Sequence, residues 1–242
     1  MSTSDLTPTV VLVHGAFVDA SSWNGVIAEL KAAGLDVVAP PNLLRGVGVD
    51  AAYLTGFVEA LGRPVVLVAH SYAGAVISQT GSDASNVTGL VYVAAYAPEA
   101  GETLGAINAR YPDVPLAAAL RTFTYTGERG EQATDTFVDA ALFHDAVCAE
   151  APAEVADTLA RTQRPASLAA FATAVSGTPA WQKLPSWAVV ATADHAIHPA
   201  AERDMAKRAG SEITEIDASH AVPATHPAEV AAVIVRAVKA IR

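Results

Sequence analysis

The stretch VVLVAHSYAGAVI, which runs from Val65 to Ile77, breaks a hydrophobic run at its centre with a histidine, a serine and a tyrosine. The apolar residues before the break predict a strand buried on both faces, and the small residues after it predict the start of a helix. Ser71 then lies on a tight turn between them, where its hydroxyl is exposed beside the unpaired N–H groups of the helix N-terminus. This position is typical of a serine nucleophile, although an N-cap serine would occupy it equally.

The residues around Ser71 also fit such a turn. Little room is left for side chains two positions before and after the serine, and the usual pattern there is G-x-S-x-G. This chain has Ala69 and Ala73 in the two places, and alanine is the smallest substitute for glycine. The pattern therefore still favours a nucleophile at Ser71.

A second segment, VVLVHGAF from Val10 to Phe17, predicts a buried strand that ends in a His-Gly pair. Gly15 allows a tight backbone turn, so the N–H of Ala16 is expected to point into the same cleft. Together with the N–H of Tyr72 it would form an oxyanion hole. Loss of one such donor typically costs about 10²–10³ in rate.

A serine hydroxyl needs a base to accept its proton and an acid to orient that base. Asp194 follows the run WAVVATA and His220 follows EITEIDAS, so each lies just beyond a predicted strand. Because ligands bind beyond the carboxyl ends of parallel strands, all three side chains are expected at one edge of the sheet. The sequence predicts a triad of Ser71, Asp194 and His220.

Other acidic and glycine-rich positions are weaker candidates. Glu99 follows a predicted strand and is the best rival for the acid, whereas Asp217 is too close in sequence to His220. The glycine-rich loop that begins at Arg45 lacks the third glycine of a dinucleotide-binding motif, so a solvent loop is expected.

The other histidines are expected to serve structure. His195 and His198 have the spacing of a metal pair but no third ligand nearby, so no metal site is predicted. The expectations for the rest are a structural hydrogen bond for His14, a side chain directed away from Ser71 for His70, an exposed side chain for His144 and a helix N-terminal turn for His226.

Short β-branched runs alternate with helix-period segments, which is the pattern of a parallel sheet covered by helices. Strands are predicted at Thr9–Val13, Asp36–Ala39, Val65–Ala69, Gly89–Ala95, Trp187–Thr192 and Glu212–Ile216. Helices are predicted at Ser21–Ala33, Val49–Leu61, Tyr72–Ser82, Ala200–Ala209 and Pro227–Ala240.

The alternation stops between the fourth and fifth predicted strands, so the core is assigned to residues 1–97 and 181–242, with an insertion at 98–180. No convincing buried strand is found in this insertion, and helices are predicted at Asp135–Leu142 and Ala153–Arg161. Its larger apolar residues, most of which are expected to pack within the insertion itself, are Leu120, Phe123, Tyr125, Phe137, Phe143 and Phe171.

Composition and charge limit the classes of function. Of the 242 residues, 52% are apolar and 17% are charged, which supplies a large core. The net charge of −10 disfavours nucleic acid and acidic membranes as partners. The single Cys148 and an N-terminal stretch with no basic region predict a cytoplasmic protein with no signal peptide and no membrane span. The sequence leaves a homodimer open.

The motifs HGAF, ASSW, AHSYAG and SHAV, together with the strand-end Asp194, resemble the α/β-hydrolase superfamily across nearly the whole chain. They are most similar to the branch of small plant methylesterases, hydroxynitrile lyases and bacterial hydrolases. The resemblance implies a mostly parallel six-stranded sheet flanked by helices, with a helical cap over the serine and no cofactor. It assigns roles to Ser71, Asp194, His220, Ala16 and Tyr72, and places Phe17 beside the acyl site.

These observations favour a serine hydrolase that cleaves carboxylic esters of small, neutral, hydrophobic or aryl substrates through an acyl-enzyme. Hydroxynitrile lyases, lactonases and perhydrolases of this fold use the same triad, and a small-molecule receptor with low turnover could retain it for binding. Lys183 is the nearest candidate for the lysine that the lyases of this branch use. Fold alone does not choose among these activities.

Overall fold

A computed structural model describes residues 7–241 of the chain. Its strands, in chain order, are β1 (Thr9–Val13), β2 (Val37–Val38), β3 (Val65–Ser71), β4 (Val87–Ala95), β5 (Leu120–Thr126), β6 (Gln132–Val138), β7 (Ala166–Ser167), β8 (Ser186–Ala191) and β9 (Glu212–Ile216). Six of them form a parallel sheet in the order β2-β1-β3-β4-β8-β9. The expected six-stranded parallel sheet is confirmed.

Helices cover both faces of this sheet. In chain order they are α1 (Asn24–Ala32), α2 (Val47–Ala60), α3 (Ala73–Asp83), α4 (Leu104–Asn108), α5 (Pro115–Ala119), α6 (Phe143–Val147), α7 (Ala153–Thr162), α8 (Leu168–Ala172), α9 (Pro199–Arg208), α10 (Val222–Thr225) and α11 (Pro227–Ile241). A 3₁₀ turn at Ala20–Trp23 precedes α1, where one continuous helix from Ser21 was predicted. The short helix α10 was not predicted, and the other core helices and strands lie within about two residues of their predicted bounds.

The two faces of the sheet bury separate apolar cores because successive side chains on a strand point to opposite faces. On β1, Val11 and Val13 join the core beneath α2, α3 and α9. Val10 and Leu12 join the opposite core, beneath α1 and α11. The central strand β3 is buried along its whole length, as a strand covered on both faces requires. Its carboxyl end, which carries Ser71, is therefore enclosed by the packing on both faces.

The segment from residue 98 to 180 contains α4 to α8, and it also contains a three-stranded antiparallel sheet in the order β5-β6-β7. The prediction of a helix at Asp135–Leu142 is wrong: Asp135 to Val138 belong to β6, and Leu142 caps α6. The prediction of a helix at Ala153–Arg161 is confirmed by α7. The segment lies over the carboxyl edge of the main sheet as a mixed cap, which has a sheet as well as helices.

Four aromatic residues of the cap separate into two groups. Phe123 contacts Tyr125 and Phe137, and these rings cluster on the cap sheet, where Phe123 and Tyr125 are exposed. Phe171 instead stacks on Phe17 of the core, with ring centroids 5.9 Å apart. Packing within the cap therefore accounts for most of these side chains, and Phe171 reaches the cleft below it.

Two further features bear on the expected location of the protein. None of the helices within residues 7–241 is long and apolar enough to cross a bilayer. Cys148 is a free, buried thiol. The expectation of no signal peptide concerns an N-terminal stretch whose first six residues lie outside the described part of the chain.

Candidate active site

Ser71 ends β3 in a left-handed backbone conformation, with φ of +56°. This conformation is strained for a residue other than glycine, and the packing of the surrounding core maintains it. The sharp turn places the serine hydroxyl at the edge of a cavity, directly before the first turn of α3. Gly74 allows this close packing, because a Cβ there would collide with the carbonyl of Tyr96.

The imidazole of His220 lies next to this hydroxyl. Its Nε2 is 2.9 Å from Ser71 Oγ, and its Nδ1 is 2.6 Å from Asp194 Oδ2. A carboxylate can only accept, so Nδ1 carries the proton and Nε2 is free to accept the proton of the serine. The three side chains predicted from the sequence thus form one hydrogen-bonded relay, although they come from distant parts of the chain.

The loop that carries His220 is held by the cap. The N–H of Ala221 and the hydroxyl of Ser219 both donate to the carbonyl of Val147, at 2.9 and 3.3 Å. The N–H of Ser219 donates to Glu150 Oε1 at 3.1 Å. These bonds tie the imidazole to the cap, which in turn sets its position relative to the serine.

Asp194 follows β8 and is fully buried. Its Oδ1 accepts hydrogen bonds from the N–H groups of Ala196 and Ile197, at 2.6 and 2.8 Å, while Oδ2 faces His220. Burial opposes the charge of this carboxyl, but the adjacent His220 and these hydrogen bonds outweigh it and hold the pKa of Asp194 below its usual value. Asp194 is therefore charged and correctly oriented to hold the imidazole.

Two backbone N–H groups border the serine, those of Ala16 and Tyr72. No hydrogen bond among residues 7–241 takes up either group. His14 Nδ1 lies 2.9 Å from the carbonyl of Gly15, and the N–H of Asn42 donates to His14 Nε2, so the ring donates through Nδ1. Because C=O and N–H of one trans peptide point in opposite directions, the bond to Gly15 directs the Ala16 N–H away from His14.

The hydroxyl of Ser71 opens onto a small, partly enclosed cavity. Its walls are mostly apolar, and no lining residue carries a fixed charge. Besides Ser71, His70 and His220, the lining residues are Ala16, Phe17, Val18, Tyr96, Leu116, Val147, Phe171, Ala196 and Ile197. Such a site fits a small, neutral, apolar group next to the hydroxyl.

The rival candidates lie outside this relay. Glu99 is half-exposed beside Arg208, and exposed Asp217 accepts from Thr192. Exposed Lys183 precedes β8, at the opposite end of the parallel sheet from Ser71. A lysine of the kind found in the lyases is therefore not supplied by this residue.

The remaining histidines have structural contacts. His195 Nδ1 donates to the carbonyl of Asp145, and His198 caps α9. Within residues 7–241, no group of three or more His, Cys, Asp or Glu side chains is arranged to hold a metal ion. His226 lies directly before α11 and contacts Thr225.

Two expectations about histidines are wrong. The side chain of His70 does not point away from Ser71, because its ring lines the same cavity as the serine and lies 4.6 Å from the ring of His220, with Nε2 donating to the His220 carbonyl. His144 is half-buried rather than exposed, and its Nε2 is 2.9 Å from the Ala151 carbonyl.

Sequence reasoning missed two buried acids near the relay. Asp50 accepts a hydrogen bond from the Tyr72 hydroxyl at 2.7 Å, and Glu202 contacts Asp194. Asp50 could have been suspected as an acid on the mostly apolar α2. The sequence does not single out Glu202 in this way. Helix α9 is rich in charged residues, and a glutamate in such a helix is expected to be exposed.

Comparison with known proteins agrees with this architecture. A family model described as the alpha/beta hydrolase family matches residues 10–233, so the chain belongs to the alpha/beta hydrolase family. No curated protein matches the sequence.

Several solved structures share the fold at low sequence identity. A polyneuridine aldehyde esterase mutant is 17% identical, with a TM-score of 0.80 over 95% of this chain and 98% of that one. A methylesterase, MES16 from Arabidopsis, is 18% identical, with a TM-score of 0.79 over 96% and 99%. A pyrethroid hydrolase from Sphingobium faniae JZ-2 is 20% identical, with a TM-score of 0.74 over 96% and 98%.

Proposed function

We propose that the protein is a carboxylic ester hydrolase with Ser71 as nucleophile, His220 as general base and Asp194 as the acid that orients it. The observation that carries this proposal is the continuous hydrogen-bonded chain from Ser71 Oγ through both ring nitrogens of His220 to Asp194 Oδ2. Membership of the alpha/beta hydrolase family supports it, and the similar structures include an esterase and a methylesterase by their names.

In the acylation step, His220 Nε2 takes the proton of Ser71 as Oγ attacks the ester carbonyl carbon. The carbonyl oxygen gains negative charge, and the N–H groups of Ala16 and Tyr72 stabilise it. When the tetrahedral intermediate collapses, the bond to the alcohol oxygen breaks, and that oxygen takes the proton from Nε2. The acyl group remains on Oγ.

Deacylation repeats the same steps with water. His220 Nε2 accepts a proton from water as the oxygen attacks the acyl carbon, and the same two N–H groups bind the oxyanion. The bond to Ser71 Oγ then breaks, and Oγ recovers the proton from Nε2. Asp194 stays ionised throughout and stabilises the imidazolium.

The substrate class follows from the walls of the cavity. Phe17, Phe171 and Ile197 present apolar surface beside the serine, and a net charge of −10 disfavours anionic ligands. We therefore expect neutral esters with small hydrophobic or aryl groups as substrates, and no cofactor in the reaction. We further propose that the protein acts in the cytoplasm on a small molecule.

The test is hydrolysis of short-chain p-nitrophenyl esters, with labelling by a fluorophosphonate probe. Ser71→Ala should lose the activity and the label, whereas the exposed Ser82→Ala should keep both. Comparable turnover by Ser71→Ala, or a label on another residue, would refute the proposal. Release of aldehyde from mandelonitrile with little ester hydrolysis would indicate a lyase instead.

A further inference from the structure

Glu202 lies in the first turn of α9, and its side chain is buried directly behind Asp194. Only 3% of its surface is exposed, and Glu202 borders a small cavity that is otherwise lined by alanine, valine and Tyr92. A carboxyl group is rarely buried this completely without a partner. The neighbouring acid is Asp194: Glu202 accepts a hydrogen bond from the N–H of Ala191, and the carbonyl of Ala191 accepts one from the N–H of Asp194 at 3.3 Å.

Two carboxyl groups can share a hydrogen bond only if one of them holds a proton. The surrounding donors decide which one. Asp194 receives hydrogen bonds from the N–H groups of Ala196 and Ile197 and from His220, whereas Glu202 receives one, from the N–H of Ala191 at 3.1 Å. The charge is better stabilised on Asp194, so the proton belongs to Glu202.

The two oxygens of Glu202 agree with this assignment. Oε2 accepts the bond from Ala191, while Oε1 is buried and receives no hydrogen bond from any donor in residues 7–241. An ionised Oε1 would be left with its charge uncompensated, whereas a protonated Oε1 can itself donate. Burial raises the pKa of Glu202 well above its ordinary value, and the charge of Asp194 raises it further.

The other charged or titratable groups around Glu202 are engaged elsewhere. Arg203, its neighbour on α9, forms an ion pair with Glu215 at 2.7 Å. Tyr92, on β4, hydrogen-bonds Ser78, and Tyr96 donates to Asn108. Asp194 is therefore the acid to which the Glu202 proton is directed.

We propose that Glu202 is a positioning residue of the relay, a neutral carboxylic acid whose O–H donates to Asp194 and holds that carboxylate toward His220. This inference rests on the proposed function of the triad. The donated bond fixes the rotamer of Asp194 and offsets part of its charge. Without it, the carboxylate would be freer to turn and would favour the protonated, inactive imidazole more strongly.

Infrared difference spectroscopy tests the proton directly and does not depend on activity. At pH 8, wild-type protein minus Glu202→Gln should show the C=O band of an un-ionised carboxylic acid, because exposed carboxyl groups are ionised at that pH. Absence of the band would overturn the proposal. The same spectrum decides the matter even if the wild-type protein proves to have no esterase activity, which would refute the proposed function alone.

Kinetics with two variants test the positioning role. Glu202→Gln keeps a donor for Asp194 and an acceptor for Ala191, so kcat/KM should stay within about threefold and its acidic limb should not move. Glu202→Met keeps the size but not the donor, so kcat should fall roughly 10- to 100-fold, as for a lost hydrogen bond to a charged group. KM should change little, and the acidic limb should move to higher pH.

A merely structural role for Glu202 predicts another result. Both variants would then have the same pH profile, and any loss of activity would follow the loss of folded protein seen by circular dichroism. That outcome would overturn the positioning role. If Glu202→Met does not fold, the proposal is still overturned by the absence of the infrared band or by a shifted acidic limb in Glu202→Gln.

Discussion

The backbone of Gly15 lies directly against the side chain of Ser71. A Cβ built at position 15 would be 2.7 Å from Ser71 Cβ and 3.0 Å from the carbonyl oxygen of His70. This contact brings the end of β1 to the end of β3 and places the N–H of Ala16 beside the serine. Only glycine allows the two segments to lie so close.

Gly15→Ala should therefore lower kcat by about 10²–10³, the usual cost of losing one oxyanion donor, because the backbone that carries Ala16 must move away. Steady-state kinetics on a p-nitrophenyl ester would measure this. Gly56→Ala is the matched control: nothing lies within 4 Å of a Cβ there, and the residue is in the middle of α2. It should raise stability by about 0.5–1 kcal/mol and keep full activity.

Asp194→Asn should reduce kcat by about 10⁴ while the protein stays folded. The amide oxygen can still accept from Ala196 and Ile197, and the NH₂ group then faces His220 Nδ1. The imidazole would be forced into the tautomer that cannot take the proton of Ser71. Exposed Asp217→Asn serves as the control and should have wild-type kcat. Near-normal kcat for Asp194→Asn would show that Asp194 does not orient the base.

The sequence predicts the bounds of an element best where one physical requirement determines its residue types. Strands buried on both faces must be continuous β-branched runs, so β1 agrees with its predicted bounds to the residue. The cap hairpin was missed because β5 is largely exposed and no continuous apolar run marks it. Its real signal is the pair LRTFTYT and QATDTFV, rich in threonine and aromatic residues, on either side of the turn GERG.

The residues of the candidate site also fall into those that the sequence could place and those that it could not. Ser71, Asp194 and His220 could be placed because each follows a recognisable strand, and the sheet brings strand ends together. Asp50 and Glu202 could not, because the sequence of a helix does not tell which polar side chain its packing will bury. The orientation of the His70 ring likewise depends on the loop of His220, some 150 residues away.

The cap is joined to the core by a bidentate ion pair. Arg45 donates to both carboxylate oxygens of Asp135 on β6, at 2.8 and 2.9 Å, and to the carbonyl of Pro165. Because the Asp135 side chain is only 9% exposed, Arg45→Met should destabilise the protein by about 1–3 kcal/mol through an unpaired buried carboxylate. Urea denaturation would measure the loss.

A double-mutant cycle with Asp135→Asn separates this pair from its surroundings. We expect a coupling energy of about 1–3 kcal/mol between Arg45 and Asp135. The ion pair of Arg63 and Asp36, in which the aspartate is 54% exposed, is the matched control and should give less than about 1 kcal/mol. Equal coupling energies in the two pairs would show that the ion pair of Arg45 and Asp135 contributes no more to stability than an exposed ion pair.

Stability should fall in mild acid because of His70. Burial, and then the charge of His220, lowers the pKa of His70 to about 3. Between pH 6.5 and pH 3 the unfolded chain therefore binds a proton at this residue that the native protein does not, so stability decreases as the pH falls through this range. The loss should reach roughly 2 kcal/mol at pH 5, seen in urea denaturation across pH.

His70→Asn removes the titrating group and should flatten this pH dependence, even though the lost packing lowers stability at pH 8. His14 adds to the wild-type slope with the same sign, since burial lowers its pKa as well, so His70→Asn should reduce the slope without abolishing it. An identical slope in wild-type protein and His70→Asn would show that His70 is not held neutral by the fold.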